Sequence, residues 1–290
     1  MEIRIRTILL CFVSLCGCTK NIFWDDYPRS EMEVSGQVIA NNNNSNELVS
    51  IWMDTFNQQT MTDSTGNFSI SISQSQTSTG SVNGPIKLYF YIQNYQLDSA
   101  TFFLANGLFS KDQTDFLETG SMVETLFLEK ILSANIQFDF NDTTFDLQDT
   151  LQILLNLDIH LDIEIETYLF NNKEPIFNSG LFFRNIVEPN SVFLYRHSEH
   201  DEYGNLINDH FEIQSYQMNE AVTWTYQLIT DSLNFPDGDY EVFPYLFIRQ
   251  DGIPTGMKNA MGGESVFIRS SRFLNLPFDI VTDTLELKER

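Results

Sequence analysis

The chain has 290 residues and a formal net charge of −24, from 40 acidic and 16 basic side chains. Such acidity repels phosphate backbones and anionic lipid surfaces, which argues against a nucleic-acid partner and leaves a solvated, self-repelling body as the simplest reading. With 42% hydrophobic residues, 25 Phe and 11 Tyr, the chain is too apolar for wholesale disorder, and its length suits two domains or one large all-β domain.

At the N-terminus, Arg4 and Arg6 precede "TILLCFVSL", an apolar run too short to span a bilayer as a stable helix. Leu15-Cys16-Gly17-Cys18 closes the run, and the three cysteines of the chain, Cys11, Cys16 and Cys18, all fall here. The stretch resembles the lipobox of bacterial lipoproteins: an aliphatic residue, two small ones and an obligatory cysteine. Cys16 is a less usual occupant of its position than Ala or Ser. The resemblance implies that residues 1–17 are a signal peptide, that Cys18 is the first mature residue and carries a diacylglycerol thioether, and that its new amino group is acylated. Removing Glu2, Arg4 and Arg6 leaves a body one unit more acidic, without a free thiol. Each buried methylene contributes roughly 0.8 kcal/mol, so one acyl chain holds transiently and two or three hold stably. Thr19 stands where the lipoproteins kept at the inner membrane carry Asp, which points to the outer membrane. Asp25-Asp26 leaves both a periplasmic and a surface-exposed position open.

Residues 18–30 lack a clear period and read as the lipidated N-terminus and a tether. Then come "MEVSGQVIA", "LVSIWMDTF", "GNFSISIS", "IKLYFYIQ", "DSATFFLA" and "VETLFLEKI", β-rich runs separated by Asn, Ser, Gly and Asp clusters. Asn41 to Asn44 read as a polar hairpin tip. Gly36-Gln37-Val38, "VSIWM" and Thr62-Asp63-Ser64-Thr65-Gly66-Asn67-Phe68 resemble the carboxypeptidase regulatory-like domain, a small prealbumin-type β-sandwich. The turn has its own logic: Asp63 can cap the amides that follow, Gly66 can take a positive φ, and Phe68 re-enters the core. Asn94-Tyr95 matches in part the Gly-Tyr of that family, with Asn able to take a left-handed conformation. The resemblance covers residues 31–132 and implies a spacer or binding scaffold, seldom a catalyst.

Residues 133–290 continue in the same style. "LLNLDIHLDIEIETYLF" puts Leu155, Leu157, Ile159, Leu161, Ile163 and Ile165 on one face and Asn156, Asp158, His160, Asp162, Glu164 and Glu166 on the other. Period 2 with one charged face means a half-buried antiparallel strand, long or bulged. In "NFPDGDYEV", Pro236, Asp237 and Gly238 set a bend and Tyr240 and Val242 return inward, which resembles the late strand of immunoglobulin-like modules. With "DYEVFPYLFIR" and the other short runs, this half reads as a second sandwich, immunoglobulin-like or jelly-roll.

The densest chemistry lies in "RHSEHDEYGNLINDHFE". His197, His200, His210 and Asp201 are candidate ligands for Zn²⁺ or a similar divalent metal, on a hairpin turning at Gly204-Asn205. A charged hairpin tip is the plainer reading, since the spacing fits no zinc motif and His197 and His200 point opposite ways on a strand. The face from Asp158 to Glu166, and Asp139, Asn141 and Asp142, offer oxygen ligands for Ca²⁺ without the glycine of an EF-hand loop. Trp52 and Trp224 read as core, and Trp24, in the tether, as the tryptophan free for a sugar platform. No Gly-x-Ser-x-Gly elbow, phosphate loop or His-Glu-x-x-His pair is present. The expectation is an all-β protein of two consecutive antiparallel β-sandwich domains after a lipoprotein signal peptide. It binds or spaces at the envelope without catalysis or a resident cofactor, and its protein or glycan partner stays open. The alternatives are a glycan-binding accessory lipoprotein of a polysaccharide-uptake system and a metal-dependent hydrolase using His197 to His210.

Overall fold

The computed structural model describes residues 32–40, 48–73, 82–111, 114–139, 150–170, 177–196, 198–200, 206–208, 210–229, 236–263, 266 and 283–287. The signal segment, Cys18, Trp24, Asn41 to Asn44, Asn141 and Asp142 lie outside the described residues. Alternating sequence and turn-forming clusters give strands nearly throughout, and the protein is all-β. Among the described residues no helix is long and apolar enough to cross a membrane.

The first eight strands are β1 (Met32–Ile39), β2 (Ser50–Met53), β3 (Gln58–Met61), β4 (Asn67–Ile72), β5 (Gly84–Tyr91), β6 (Asp98–Ala105), β7 (Leu108–Phe109) and β8 (Leu126–Phe127). They form two sheets, β4-β1-β8 and β3-β2-β5-β6-β7. Strict alternation in β4 sends Phe68, Ile70 and Ile72 inward and leaves Asn67, Ser69 and Ser71 exposed. These side chains, with Val34 and Val38 of β1, meet Ile51, Ile86, Leu88, Phe90 and Phe102 of the facing sheet. The result is a sandwich with one apolar core. Gly36 is required because a Cβ there would overlap the thioether of Met122, which packs against the edge of this core.

The second set begins at Leu132: β9 (Leu132–Asp139), β10 (Thr150–Ile159), β11 (Ile163–Phe170), β12 (Phe177–Ser179), β13 (Leu181–Asn185), β14 (Val192–Tyr195), β15 (Ser198–His200), β16 (Leu206–Asn208), β17 (His210–Tyr216), β18 (Ala221–Ile229), β19 (Gly238–Pro244), β20 (Phe247–Arg249), the short helix α1 (Thr255–Ala260) and β21 (Asp283–Leu287). One sheet runs β17-β11-β12-β18-β10-β9 with β20 beside β11, the other β14-β13-β19-β21, and β15-β16 is a separate hairpin. Leu155, Leu157, Ile165 and Trp224 of the larger sheet pack on Leu181, Phe183, Tyr240 and Val242 of the smaller.

Two long alternating runs are each two strands. "LLNLDIHLDIEIETYLF" breaks after Ile159, where the His160 and Leu161 N–H groups both donate to the Ile131 carbonyl, at 2.7 and 3.2 Å. β10 then pairs with β9 and β18, whereas β11 pairs with β12, β17 and β20. "DYEVFPYLFIR" likewise divides into β19 in the smaller sheet and β20 in the larger. A matching switch occurs at Gly180, between β12 and β13. Its φ of +88° suits glycine, and a Cβ would press on the Tyr168 ring. The two crossings are tied by Tyr245 N–H to the Gly180 carbonyl at 2.7 Å. Strands that change sheets in this way make the corners of a sandwich. At the Pro236–Gly238 bend, the Tyr240 hydroxyl donates to the Pro236 carbonyl at 2.7 Å while its ring is buried, the device of a tyrosine corner.

Candidate functional site at the junction of the sandwiches

The turn at Thr62–Phe68 is built from its own side chains. Asp63 Oδ1 accepts from the Thr65 N–H and hydroxyl at 2.8 and 2.7 Å and from the Asn67 N–H at 2.9 Å. These bonds, that from the Thr65 hydroxyl foremost, hold the carboxyl below its ordinary pKa. Gly66 has a φ of +82°, and its carbonyl accepts from Val38 N–H at 2.8 Å. Thr62, buried, accepts from Val49 N–H through its hydroxyl at 2.9 Å, and Phe68 sets its edge against Phe90. The turn is thus stitched to β1 and to the start of β2. Asn94 is different from its sequence expectation. The positive-φ asparagines among the described residues are Asn57, Asn106 and Asn219, and Asn94 instead accepts Ile131 N–H on its carbonyl at 2.8 Å.

Of the histidine segment, the backbone of the hairpin is described: Ser198 faces Asn208 and His200 faces Leu206, so the turn falls between them. His197 and Asp201, and the side chains of His200 and His210, lie outside the described residues. Among the described residues no three His, Cys, Asp or Glu side chains gather as a metal-binding group. The fourth histidine, His160, has its Nε2 3.0 Å from the Ser133 hydroxyl. Three carboxylates of the charged face are individually engaged. Asp162 accepts from Met218 N–H at 2.8 Å, Glu164 pairs with Arg249 at 3.1 Å, and Glu166 accepts from the Tyr245 hydroxyl at 2.8 Å. Trp52 and Trp224 are both buried. Trp52, however, belongs to a cluster outside the core of its own sandwich.

That cluster is the junction. Trp52 and Tyr91 from the N-terminal sandwich pack with Tyr168, Phe182, Phe243, Tyr245, Met257 and Val266. Burial raises the Tyr91 phenol above its usual pKa. Gly256 of α1 lies flat on the Trp52 indole, so close that a Cβ would overlap the ring. Beside the aromatic patch sits Gln250, following β20. Its Oε1 accepts from Leu97 N–H at 2.8 Å, and its Nε2 donates to the carbonyls of Gln93 and Tyr95 at 3.1 and 2.9 Å. One side chain therefore satisfies three main-chain groups of the β5–β6 connection. The linker is bonded to the same connection, through Gln96 N–H to Glu129 and Ile131 N–H to Asn94, each at 2.8 Å.

Two open clefts flank this contact, of about 600 and 410 Å³, and share Asp162, Ile163, Arg249 and Asp251. Tyr216 and Gln217 line the first, and Gln96 and Gln250 the second. Burial raises the Tyr216 phenol, an effect opposed by the bond it accepts from Trp224 Nε1 at 2.8 Å. Among the described residues that line it, the groove is polar and carries one cation, Arg249, between carboxylates. Sequence patterning gave no sign of Gln250, Gly256 or the junction role of Trp52, since their partners are distant in the chain.

No family model and no curated protein matches the chain. Among solved structures, it is similar to the major pilin subunit of Bacillus cereus, at 10% identity and a TM-score of 0.27, over 73% of this chain and 87% of that one. It is also similar to the TIE protein of Bacillus anthracis, at 8% identity and a TM-score of 0.23, over 77% of this chain and 48% of that one.

Proposed function

We propose that this protein is a lipid-anchored spacer and binding module of a bacterial envelope, held to the outer membrane through Cys18 and carrying no catalytic centre. The first module spans residues 31–132 and the second 133–290. The observation that supports it is the junction. Two sandwiches joined by a tether-like linker would reorient freely, whereas a buried aromatic patch and the three bonds of Gln250 give the pair a fixed mutual orientation. A fixed orientation is what a projecting spacer needs, and the acidic surface keeps it off its own membrane. Metabolic labelling with a palmitate analogue tests the anchor: label is expected on the native chain and lost in Cys18→Ala. Label that survives the substitution removes the proposal.

A second reading is favoured by the groove. The amides of Gln96 and Gln217, with Arg249 and Tyr216, are planar polar groups of the kind that bond sugar hydroxyls. A glycan array is expected to show binding that Arg249→Ala abolishes if the module takes a polysaccharide, and no binding if its partner is a protein.

A further inference from the structure

We propose that β1 and the segment Gly120–Leu128 form a shear clamp that carries tension between the anchored N-terminus and the C-terminal sandwich. The inference rests on the reading of the chain as an anchored spacer, because only then does force enter ahead of Met32 and leave beyond Ile131.

The argument is topological. β1 runs parallel to β8, with Val38 opposite Leu126 and Ile39 opposite Phe127. An isolated parallel bridge sets Ser35 beside Ser121, their hydroxyls 3.3 Å apart. Ser35 N–H donates to the Gly120 carbonyl at 3.0 Å, Met122 N–H to the Ser35 carbonyl at 2.8 Å, and Leu128 N–H to the Ile39 carbonyl at 2.9 Å. The chain enters at the N-terminal end of β1 and leaves at the C-terminal end of β8. In two parallel strands those are opposite ends of the pair, so tension slides one strand along the other and strains all the bridging bonds together. Each such bond is weak alone, and only simultaneous loading makes them a barrier. β4 offers the contrary geometry within the same sheet. It is antiparallel to β1, with Met32 opposite Ile72, so pulling Met32 away from the end of β4 opens the pair one bond at a time. Side-chain packing reinforces the clamp: Met122 lies over Gly36, and the backbone of Gly120 is in contact with Glu33 and the Phe109 ring, where no Cβ fits.

Single-molecule force spectroscopy on the chain from Thr19 onward, which keeps every residue of both sandwiches, tests this. Handles at Glu31→Cys and Lys288→Cys load the clamp, and handles at Glu31→Cys and Ser73→Cys peel β1 from β4. Rupture of the N-terminal sandwich, recognised by its gain in contour length, is expected at a several-fold higher force in the first geometry than in the second, at equal loading rate. Equal forces overturn the clamp. A second measurement uses the Ser35→Cys, Ser121→Cys pair. When oxidised it is expected to shorten the contour gain by the 86 positions separating the two residues, and reduction restores it. The shortened gain marks the rupture as that of the N-terminal sandwich, so the forces compared between the two pulling geometries belong to it. The chain is lipid-free, so a bare Cys18 in native material would leave both results standing, and failure of the clamp would leave the anchor untouched.

Discussion

The turn at Asp63 and the junction at Gln250 each rest on one side chain that makes three hydrogen bonds, yet they are opposite kinds of structure. Asp63 bonds to groups two and four positions along the chain. Gln250 bonds to groups more than 150 positions away, in another sandwich. The first is fixed by local geometry and would persist in any protein that let the segment turn. The second exists only after both sandwiches have formed, and it holds two finished bodies together. Local bonds here specify shape, and long-range ones specify how shapes are joined.

The widest separation between the two should come from Trp52→Ala. The indole is the main N-terminal contribution to the junction and supports Gly256 of α1. Truncating a buried aromatic of this size costs about 3–5 kcal/mol. Urea unfolding followed by two probes, one in each sandwich, is expected to change from coincident transitions to separate ones. Gln250→Ala should act in the same direction with less force. It strands Leu97 N–H and two carbonyls in a partly buried site, at about 1–3 kcal/mol. If both variants still unfold in one coincident transition, the sandwiches are coupled by something other than this junction.

Legibility in the sequence follows the same division. Strand alternation identified β1, β4, β5 and β6, because one buried face leaves a period of 2 in the residues themselves. The Asp63 turn and the Pro236–Tyr240 bend were readable because all their parts lie within a few positions. The break at His160 was not, since apolar parity is kept across it: Ile159 and Ile163 are both buried, and only the carbonyl of Ile131 reveals the turn. α1 has six residues and begins after Pro254, too short for a helical period to emerge. Gly256 looks like any loop glycine until the Trp52 ring is placed on it. Of the candidate sites, the histidine hairpin was legible as a hairpin, because Gly204-Asn205 is a turn signal. The junction groove was not, because its walls come from the β5–β6 connection, β11, β17 and the end of β20.

Smaller effects probe the local side of the comparison. Gly66→Ala forces a Cβ into a left-handed backbone and against the Val38 carbonyl, so a loss of about 1 kcal/mol or more is expected, with a single coincident transition retained. The smallest effect belongs to Asp63. Its folded-state pKa lies below the ordinary value of 3.8 because the bonds from Thr65 and Asn67 favour the carboxylate. A depressed pKa means that its contribution to stability is complete above the unfolded value and is lost as pH falls through the folded one. NMR titration of the carboxyl carbon should therefore give a midpoint below 3.8, and Asp63→Asn should lower stability slightly at neutral pH and converge with the native chain in acid, which flattens the acid limb of the stability profile. Since the group is fully exposed, the change should be a shift of that limb and not a collapse, and it should leave the coupling of the two sandwiches as it was. An Asp63→Asn chain whose sandwiches unfold separately would mean that the turn reaches the junction after all, against the division drawn from its bonds.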